Sequence, residues 1–330
     1  MKRFISAIAI VSCLGQVFGQ QRIPLIEEFS SSTCPPCKTF NDGVFTPFLN
    51  TASLQGKYTV VNYRANWPGN GDPYYTAEAN TRINYYSVNA VPTCLLDGKT
   101  ASTGSLSGFT SGFNTEAAKA AKAAMTAQYT ITGATVAAGK VKATITVTPT
   151  AAVSNAYLFI ALVEKLTTKN ASTNGEKEFH YVMMKMIPNA SGKLLTLTAN
   201  TPVTVTDSAS LSGTKIEEMT DLEVVAWVQI SGTKEILQSA LATDGTPVIN
   251  RCLLNGCSSG KSVTMIRNNS VQNAKNAQIS VHDLSGREIV KARSTSETYT
   301  LGTLHLPRGC YILKVGKGKQ ALTQLISVPR

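Results

Sequence analysis

The motif CPPC at residues 34–37 follows a short apolar run, and this placement constrains the fold more than any other feature of the chain. The run at residues 24–29 (PLIEEF) predicts a strand that leads into the motif. Residues 37–49 predict a helix, because proline lacks an N–H and suits the first helical turn. The cysteine pair is therefore expected at the junction between a strand and the start of a helix.

Strand and helix patterns alternate along the rest of the N-terminal third. Strands are predicted at 58–63 and 93–96, and helices at 76–86 and at the alanine-rich stretch 115–127. This order predicts an α/β domain over residues 20–127.

The sequence pattern changes after residue 127 from alternating strands and helices to recurring strands. Runs such as KVKATITVTP and AYLFIALVEK recur between polar turns, which predicts a β-sandwich over residues 128–245. Residues 246–262 are punctuated by Gly, Pro, Asn and Ser and predict a linker. A second β-rich pattern predicts a C-terminal β-sandwich over residues 263–330.

The first 19 residues have the composition of a signal peptide. Two basic residues precede a mostly apolar stretch, and Gly19 supplies the small residue before cleavage near Gln20. A second interpretation stays open, because residues 10–13 (IVSC) resemble a lipobox in which Cys13 would be lipidated. Both interpretations predict export to a compartment in which thiols are oxidised.

The positive charge of the chain is concentrated near its C-terminus. Residues 251–330 carry 12 Lys and Arg against 3 Asp and Glu, which gives this segment +9 of the net +11. These basic residues are scattered through a strand-like pattern without an aromatic-interleaved platform, so nucleic-acid binding is not predicted. No apolar run reaches the roughly 18 residues that a membrane helix needs, so no transmembrane span is predicted.

Four roles compete for Cys34 and Cys37. Structural zinc needs further ligands at close spacing, but Cys252 and Cys257 lie far along the chain and no histidine lies near either pair. A c-type haem needs histidine after the second cysteine, where this chain has Lys38. No metal or cofactor is therefore predicted, and a structural disulfide and a redox-active dithiol both stay open.

The expected position of Cys34 favours the redox-active interpretation. At a helix N-terminus the helix dipole and free N–H groups stabilise a thiolate and lower its pKa. A Cys34 thiolate could attack a substrate disulfide, and Cys37 could then resolve the mixed disulfide. Pro35 and Pro36 remove two N–H donors, which limits this stabilisation.

Two stretches together resemble a thioredoxin-superfamily domain. They are IEEFSSSTCPPCKTFN at residues 26–41 and YYSVNAVPTCLLDGK at residues 85–99. The resemblance implies that Cys34 is the nucleophile and Cys37 the resolving thiol, joined as a disulfide when oxidised. It also implies a cis proline at Pro92 beside the Cys34 sulfur, with the backbone of Val91 pairing with the substrate.

The same resemblance gives a role to Glu28, six residues before Cys34. This position matches the buried acid with which thioredoxins move the proton of the resolving cysteine. A desolvated carboxyl has a raised pKa and can do this near neutral pH. The competing interpretation is an exposed carboxylate, since either Glu27 or Glu28 is expected to face outward. Thr33 stands where thioredoxin has an aromatic residue, so thioredoxin-like substrate choice is not implied.

The remaining cysteines have separate expected roles. Cys94 lies on the predicted strand after Pro92 and is expected to be a buried apolar residue. Cys252 and Cys257 flank a short turn and are candidates for a second disulfide. Cys310 could stay free.

Two further resemblances cover most of the chain. Residues 20–245, including NGEKEFHYVMMKMIPNASG at 174–192, resemble the outer-membrane-protein-28-related family of Bacteroidetes surface proteins. The tail resembles a type IX secretion sorting domain through ISVHDLSGREIV, LHLPRGCYILKV and the terminal QLISV. This second resemblance implies handling by the type IX secretion machinery and delivery to the cell surface, the outer membrane or the extracellular space. It leaves open whether the tail is then removed.

These features predict a thioredoxin-like α/β domain followed by two all-β sandwich domains. The leading hypothesis is a cell-surface or secreted thiol–disulfide oxidoreductase-like protein. It would exchange with protein thiols and disulfides through Cys34 and Cys37 and would need no cofactor. The alternative is a non-enzymatic surface binding protein or adhesin, in which the thioredoxin-like fold is a scaffold stapled by the disulfide. The sequence decides neither between these two functions nor on a redox direction.

Overall fold

The computed structural model describes most of the chain. The described residues are 20–133, 135–245, 265–267, 270–272, 275–283, 287–296, 298–300, 309–317 and 320–328. The predicted signal peptide with Cys13, the predicted linker, and Cys252 and Cys257 lie outside them. The chain divides into two units, Met1–Gly245 and Thr246–Arg330.

The first unit begins with alternating strands and helices and continues with strands. The helical elements are α1 (Pro35–Phe40), a π-helical turn (Asn41–Phe45), α2 (Thr46–Leu49), a 3₁₀ turn (Ala52–Leu54), α3 (Ala77–Tyr86) and α4 (Leu106–Ala117). The strands are β1 (Leu25–Ser30), β2 (Thr59–Arg64), β3 (Thr93–Leu96), β4 (Lys99–Thr100), β5 (Ala123–Thr132), β6 (Lys140–Pro149), β7 (Val153–Thr167), β8 (Phe179–Met186), β9 (Lys193–Leu197), β10 (Val203–Ser210), β11 (Leu222–Ile230), β12 (Ile236–Leu241) and β13 (Thr243–Asp244).

One nine-stranded sheet runs through the first unit. Its order is β12-β11-β7-β8-β2-β1-β3-β4, and β9 pairs with β7. Strand β1 lies parallel to β2 and antiparallel to β3. Strand β8 joins β2 through the register pair Asn62 and Val182. Strands from both sides of the predicted boundary at residues 127 and 128 therefore share one sheet.

This sheet is covered on both faces. Helices α1, α2 and α4 pack on one face of β1 to β3, around Ile26, Phe48 and Phe109. On the same face of β7, β8 and β11 lies a second sheet of order β10-β6-β5-β13. The opposite face carries α3 and a cluster that extends from Phe29 to Trp227. Burial on both faces explains the unbroken apolar run at 158–163 (LFIALV), since alternation is needed only when one face is solvated.

The helix predicted at 115–127 is wrong. Helix α4 ends at Ala117, and residues 123–132 form strand β5. The side chain of Ser105 caps α4 by accepting the N–H of Gly108 at 3.1 Å. Strand β5 pairs with β6 over ten residues, and Met125 and Tyr129 enter the core between the sheets. This tertiary pairing overrides the helix propensity of the alanine run.

A buried ion pair connects the early and late parts of the first unit. Arg82 on α3 lies 2.7 Å from Glu27 on β1, and both side chains are fully buried. The guanidinium also lies over the rings of Phe159 on β7 and Trp227 on β11, at 4.4 and 5.4 Å from their centroids. The charge of Glu27 is therefore compensated by a residue that also packs on the strands after residue 153.

The second unit is all-β in its described residues. Its strands are β14 (Met265–Arg267), β15 (Ser270–Gln272), β16 (Gln278–His282), β17 (Glu288–Arg293), β18 (Thr298–Thr300), β19 (Gly309–Lys317) and β20 (Gln320–Val328). They form sheets of order β14-β15-β18 and β17-β16-β19-β20. Ile279, Val281 and Leu313 form its core. No helix in the described parts of the chain has the length and apolar character needed to cross a membrane.

Replacing Arg82 tests the buried ion pair. Arg82→Ala should destabilise the protein by about 3–5 kcal/mol, because Glu27 would be left as an uncompensated buried charge. Urea unfolding of the full chain measures this change. The control is Lys193→Ala, which removes a surface ion pair with Asp207 and should cost less than about 1 kcal/mol. Equal losses in the two variants would contradict the structural role assigned to Arg82.

Candidate functional site

The loop that enters the CPPC motif is fixed to the end of β2. The carbonyl of Ser31 accepts the N–H of Cys34 at 3.1 Å. The N–H of Ser32 donates to the carboxylate of Asp72 at 2.8 Å. The same carboxylate oxygen accepts a hydrogen bond from Nε of Arg64 at 2.8 Å in a fully buried ion pair. A charge-assisted network therefore holds the backbone just before the first cysteine.

Cys34 and Cys37 form a disulfide with their Cα atoms 5.3 Å apart. Cys34 is the N-cap of α1, and its sulfur accepts the N–H of Cys37 at 3.1 Å. Pro35 and Pro36 fill the first two helical positions and have no N–H, so Cys37 supplies the first donor of the helix. Only 1% of Cys34 and 0% of Cys37 is exposed. The structure thus confirms the predicted place of the pair and shows that it is covered.

A cis proline stands beside the first sulfur. The Val91–Pro92 peptide bond is cis, as the resemblance implied. The carbonyl oxygen of Val91 lies 3.4 Å from the sulfur of Cys34. The structure therefore brings together two motifs that are 57 positions apart in the chain.

A second cis proline, at Trp67–Pro68, borders the site on another side. The hydroxyl of Thr33 donates to the carbonyl of Pro68 at 2.7 Å and also contacts the hydroxyl of Ser31 at 2.8 Å. Thr33 is thus a polar link between two loops. Trp67 and Pro68 are not among the site residues predicted from the sequence, although the surrounding WPGNG is a recognisable turn signal.

Glu27 and Glu28 are both fully buried, so the expectation that one of them faces outward is wrong. Successive side chains of a strand point to opposite faces of the sheet. Both faces of β1 are covered, Glu27 lying on the side of Phe29 and Glu28 on the side of Ile26. Glu27 has Arg82 as its partner, whereas no ion pair in the described part of the chain includes Glu28.

The environment of Glu28 suits proton transfer near neutrality. Burial raises its pKa from 4.5 to about 7, the nearby charge of Arg64 opposes this rise, and the charge of Glu176 adds to it. Asn62 donates its side-chain N–H to Oε2 of Glu28 at 2.6 Å. The other oxygen, Oε1, is buried and has no hydrogen-bond partner among the described residues. A proton on Oε1 would remove the cost of burying the charge, which explains the direction of the shift.

A polar cluster connects Glu28 to the helix that carries Cys37. The N–H of Asn41 donates to the carbonyl of Cys37, and the Asn41 side chain helps to stabilise ionised Glu28. Nδ2 of Asn41 also donates to Oε1 of Glu176 at 2.7 Å. Glu176 lies between β7 and β8, in the region predicted from the sequence to be a separate β-sandwich domain. No sequence spacing indicated that Asn41, Glu176 or its neighbour Asn174 would belong to this site.

The third cysteine near the site is not joined to the pair. Cys94 is buried and carries a free thiol, as expected for an apolar core residue. Burial and the charges of Glu28 and Glu27 raise the pKa of its thiol well above the usual range, so it is a poor nucleophile at neutral pH. Across the described residues, no three His, Cys, Asp or Glu side chains are grouped so as to hold a metal ion.

The tail of the chain matches a known family. Residues 261–328 match the secretion system C-terminal sorting domain. The type IX sorting domain expected from the sequence is thereby confirmed. This sorting domain shows that the protein is exported to the cell surface, the outer membrane or the extracellular space.

Comparison with solved structures concerns the fold. HBP35 of Porphyromonas gingivalis is similar to this chain with a TM-score of 0.56 and 14% identity, over 94% of this chain and 99% of that one. A domain of the outer membrane lipoprotein Omp28 from the same organism matches with a TM-score of 0.27 and 16% identity, over 38% of this chain and 88% of that one. The first likeness supports the overall fold, and the second is too small to support an argument. No curated protein matches the chain.

Replacing Glu28 by glutamine tests its buried carboxyl. A carboxyl with a folded pKa of about 7 and an unfolded pKa of 4.5 binds its proton more tightly in the folded state, so stability falls as pH rises through this window. Glutamine does not titrate, so the Glu28→Gln variant does not lose stability in this way. The free energy of unfolding of the variant minus that of the parent should therefore rise by about 3 kcal/mol between pH 4.5 and pH 8. Urea unfolding of the oxidised full chain across this pH range measures the difference.

The control for this prediction is Glu78→Gln. Glu78 is paired with Lys185 at 2.8 Å in a partly exposed position. This ion pair lies outside the Glu28 cluster, so the substitution shows what the loss of a glutamate carboxylate elsewhere does to stability. A stability difference between Glu28→Gln and the parent that does not change with pH would show that the Glu28 carboxyl is already ionised at pH 4.5.

Proposed function

We propose that this exported protein is a thiol–disulfide oxidoreductase that works through Cys34 and Cys37. The observation that carries the proposal is the position of the Val91 carbonyl oxygen, which lies 3.4 Å from the Cys34 sulfur. A substrate chain that paired with this backbone would bring its own sulfur close to Cys34. A disulfide that served only to close a loop would not require this arrangement.

The chemistry follows from the two sulfurs. In the reducing direction, the Cys34 thiolate attacks one sulfur of a substrate disulfide, and the other substrate sulfur leaves with the bonding electron pair. Cys37 then attacks the Cys34 sulfur, which frees the second substrate thiol and leaves the Cys34–Cys37 disulfide. Two electrons have passed from the protein to the substrate, and an external dithiol restores the reduced pair. The oxidising direction runs the same steps in reverse.

Glu28 is proposed to receive the proton of Cys37. With a pKa of about 7, its carboxyl is divided between both protonation states at neutral pH and can accept or return a proton. Asn41 connects the two groups, because its backbone N–H bonds to the Cys37 carbonyl and its side chain favours the ionised form of Glu28. The N–H of Cys37 donates to the Cys34 sulfur and is proposed to stabilise the Cys34 thiolate. Pro35 and Pro36 have no N–H and add no donor of their own.

The substrates are proposed to be thiols or disulfides of proteins outside the cytoplasm. The sorting domain implies handling by the type IX secretion machinery. Exported proteins form disulfides after they leave the reducing cytoplasm, so a surface oxidoreductase meets its substrates there.

A structural role for the disulfide is the second candidate. The observation that favours it is the burial of the pair, since only 1% of Cys34 and none of Cys37 is exposed. In that case the protein would be a surface binding protein whose α/β region is a stapled scaffold. The disulfide would then be strongly stabilised by the fold and difficult to reduce.

The reduction potential separates the two candidates. We expect a potential in the roughly −120 to −270 mV span of exchange proteins, whereas structural disulfides lie below about −300 mV. The measurement is equilibration of the full chain in glutathione buffers, followed by thiol trapping and mass spectrometry of the peptide that contains residues 34–37. A value in the structural range would exclude the oxidoreductase proposal.

Cysteine variants identify the attacking sulfur. Cys37→Ser should form a lasting mixed disulfide between Cys34 and glutathione, because no resolving thiol remains. Cys34→Ser should lose exchange activity entirely. Cys94→Ser is the control and should keep it, because Cys94 is buried outside the disulfide. Exchange that survives in Cys34→Ser would assign the activity to another group.

A further inference from the structure

The segment between β7 and β8, residues 168–178, lies against the CPPC loop, and we call it the strap. The N–H of Asn174 donates to the carbonyl of Ser32 at 2.9 Å. The side-chain Nδ2 of Asn174 donates to the carbonyls of Ser31 and Cys34 at 3.3 and 3.2 Å. One strap residue thus binds three of the four backbone positions that lead into the disulfide.

The strap also binds the far end of α1. Glu176 is buried, and it accepts Nδ2 of Asn41, the residue after α1, at 2.7 Å. Glu176 and Asn174 bond to each other twice, through Nδ2 of Asn174 to Oε2 of Glu176 and through the N–H of Glu176 to Oδ1 of Asn174 at 2.9 Å. Gly175 between them has φ +87°, a left-handed conformation that glycine adopts without strain. Asn174 and Glu176 therefore form one tight turn that contacts both ends of α1.

The two ends of the strap are held independently of this turn. The carboxylate of Glu217 accepts the N–H groups of Thr168 and Lys169 at 2.8 and 2.7 Å. At the other end, Phe179 begins β8 and packs under the guanidinium of Arg64, 4.7 Å from the ring centroid. If the turn at Asn174 left the CPPC loop, the strap would remain attached at both ends.

The strap bears directly on the reaction proposed above. Exchange requires the attacking sulfur to approach along the axis of the disulfide bond, so one sulfur must be reachable from solvent. In this structure 1% of Cys34 is exposed, and its backbone carbonyl is bonded to the strap. A thiol carried on a polypeptide needs a wider opening than a small thiol, because its own backbone must come beside Val91.

We propose that the strap discriminates between thiols by size and that Asn174 is the residue that sets this specificity. With the strap seated, a small dithiol reduces the Cys34–Cys37 disulfide more readily than a polypeptide dithiol does. Displacement of the Asn174 turn opens the site to polypeptides. This inference rests on the oxidoreductase function proposed above, since a purely structural disulfide would have no substrates to select.

The test compares two reductants with the oxidised full chain. Dithiothreitol is the small dithiol, and reduced, unfolded ribonuclease is the polypeptide dithiol. Each dithiol gives two electrons to the Cys34–Cys37 disulfide and itself becomes a disulfide. The rate is followed by thiol trapping and mass spectrometry of the peptide that contains residues 34–37, for the parent and for Asn174→Ala.

The expected result is a change in the ratio of the two rates. Asn174→Ala removes the side-chain bonds that seat the turn and should speed reduction by the polypeptide about tenfold, with a much smaller gain for dithiothreitol. Thr173→Ala is the matched control, because Thr173 is the exposed neighbour of Asn174 and its substitution should leave both rates unchanged. Asn174→Asp is a second variant with the same expected direction, since aspartate keeps the acceptor for the Glu176 N–H and loses the amide donor.

Other outcomes overturn the proposal and separate it from the function on which it rests. Equal acceleration of both reductants would indicate a general loosening of the fold, and unchanged rates would show that the strap does not limit access. Both results would leave the oxidoreductase function standing, provided that the parent exchanges with dithiothreitol and Cys34→Ser does not. A parent whose potential lies in the structural range would instead remove the proposed function and this inference with it.

Discussion

Strand β1 is covered on both faces, and this constraint determines how the site is built. Its sequence LIEEFS places two adjacent acidic residues on a strand that is fully buried. Neighbouring side chains of a strand point in opposite directions, so one glutamate enters each of the two cores. A buried carboxylate is costly unless it is paired or protonated, and the two glutamates meet this requirement in different ways.

Glu27 is paired with Arg82, and this pairing ties the α/β region to strands β7 and β11 through Phe159 and Trp227. Glu28 has a weaker set of partners, so its burial raises its pKa to about 7. The same strand therefore supplies a structural ion pair on one face and a carboxyl poised for proton transfer on the other. The asymmetry arises from the partners that each face offers, because the two residues are chemically identical.

Local signals predicted the N-terminal region well and failed where distant strands decide the structure. The CPPC motif, Pro92 and the helix near residues 76–86 are marked by residue types with strong local preferences, and the structure confirms their placement. The alanine run before residue 127 also has a strong preference, but pairing with β6 makes its second half a strand. The strap was missed for a related reason, since its Asn174 meets Ser32 across 142 positions and no local pattern records such a contact.

By itself the sequence indicated that a cysteine pair begins a helix after a short apolar strand and that the chain is exported, and its resemblance to thioredoxins implied a cis proline at Pro92. These are properties of short segments, because proline geometry, helix starts and sorting motifs depend on neighbouring residues. Only the tertiary structure decided that both glutamates are buried, that strands between residues 25 and 241 join in one sheet, and that the strap binds the backbone of the CPPC loop. Burial and pairing depend on which distant segments pack together, and a single sequence does not state this.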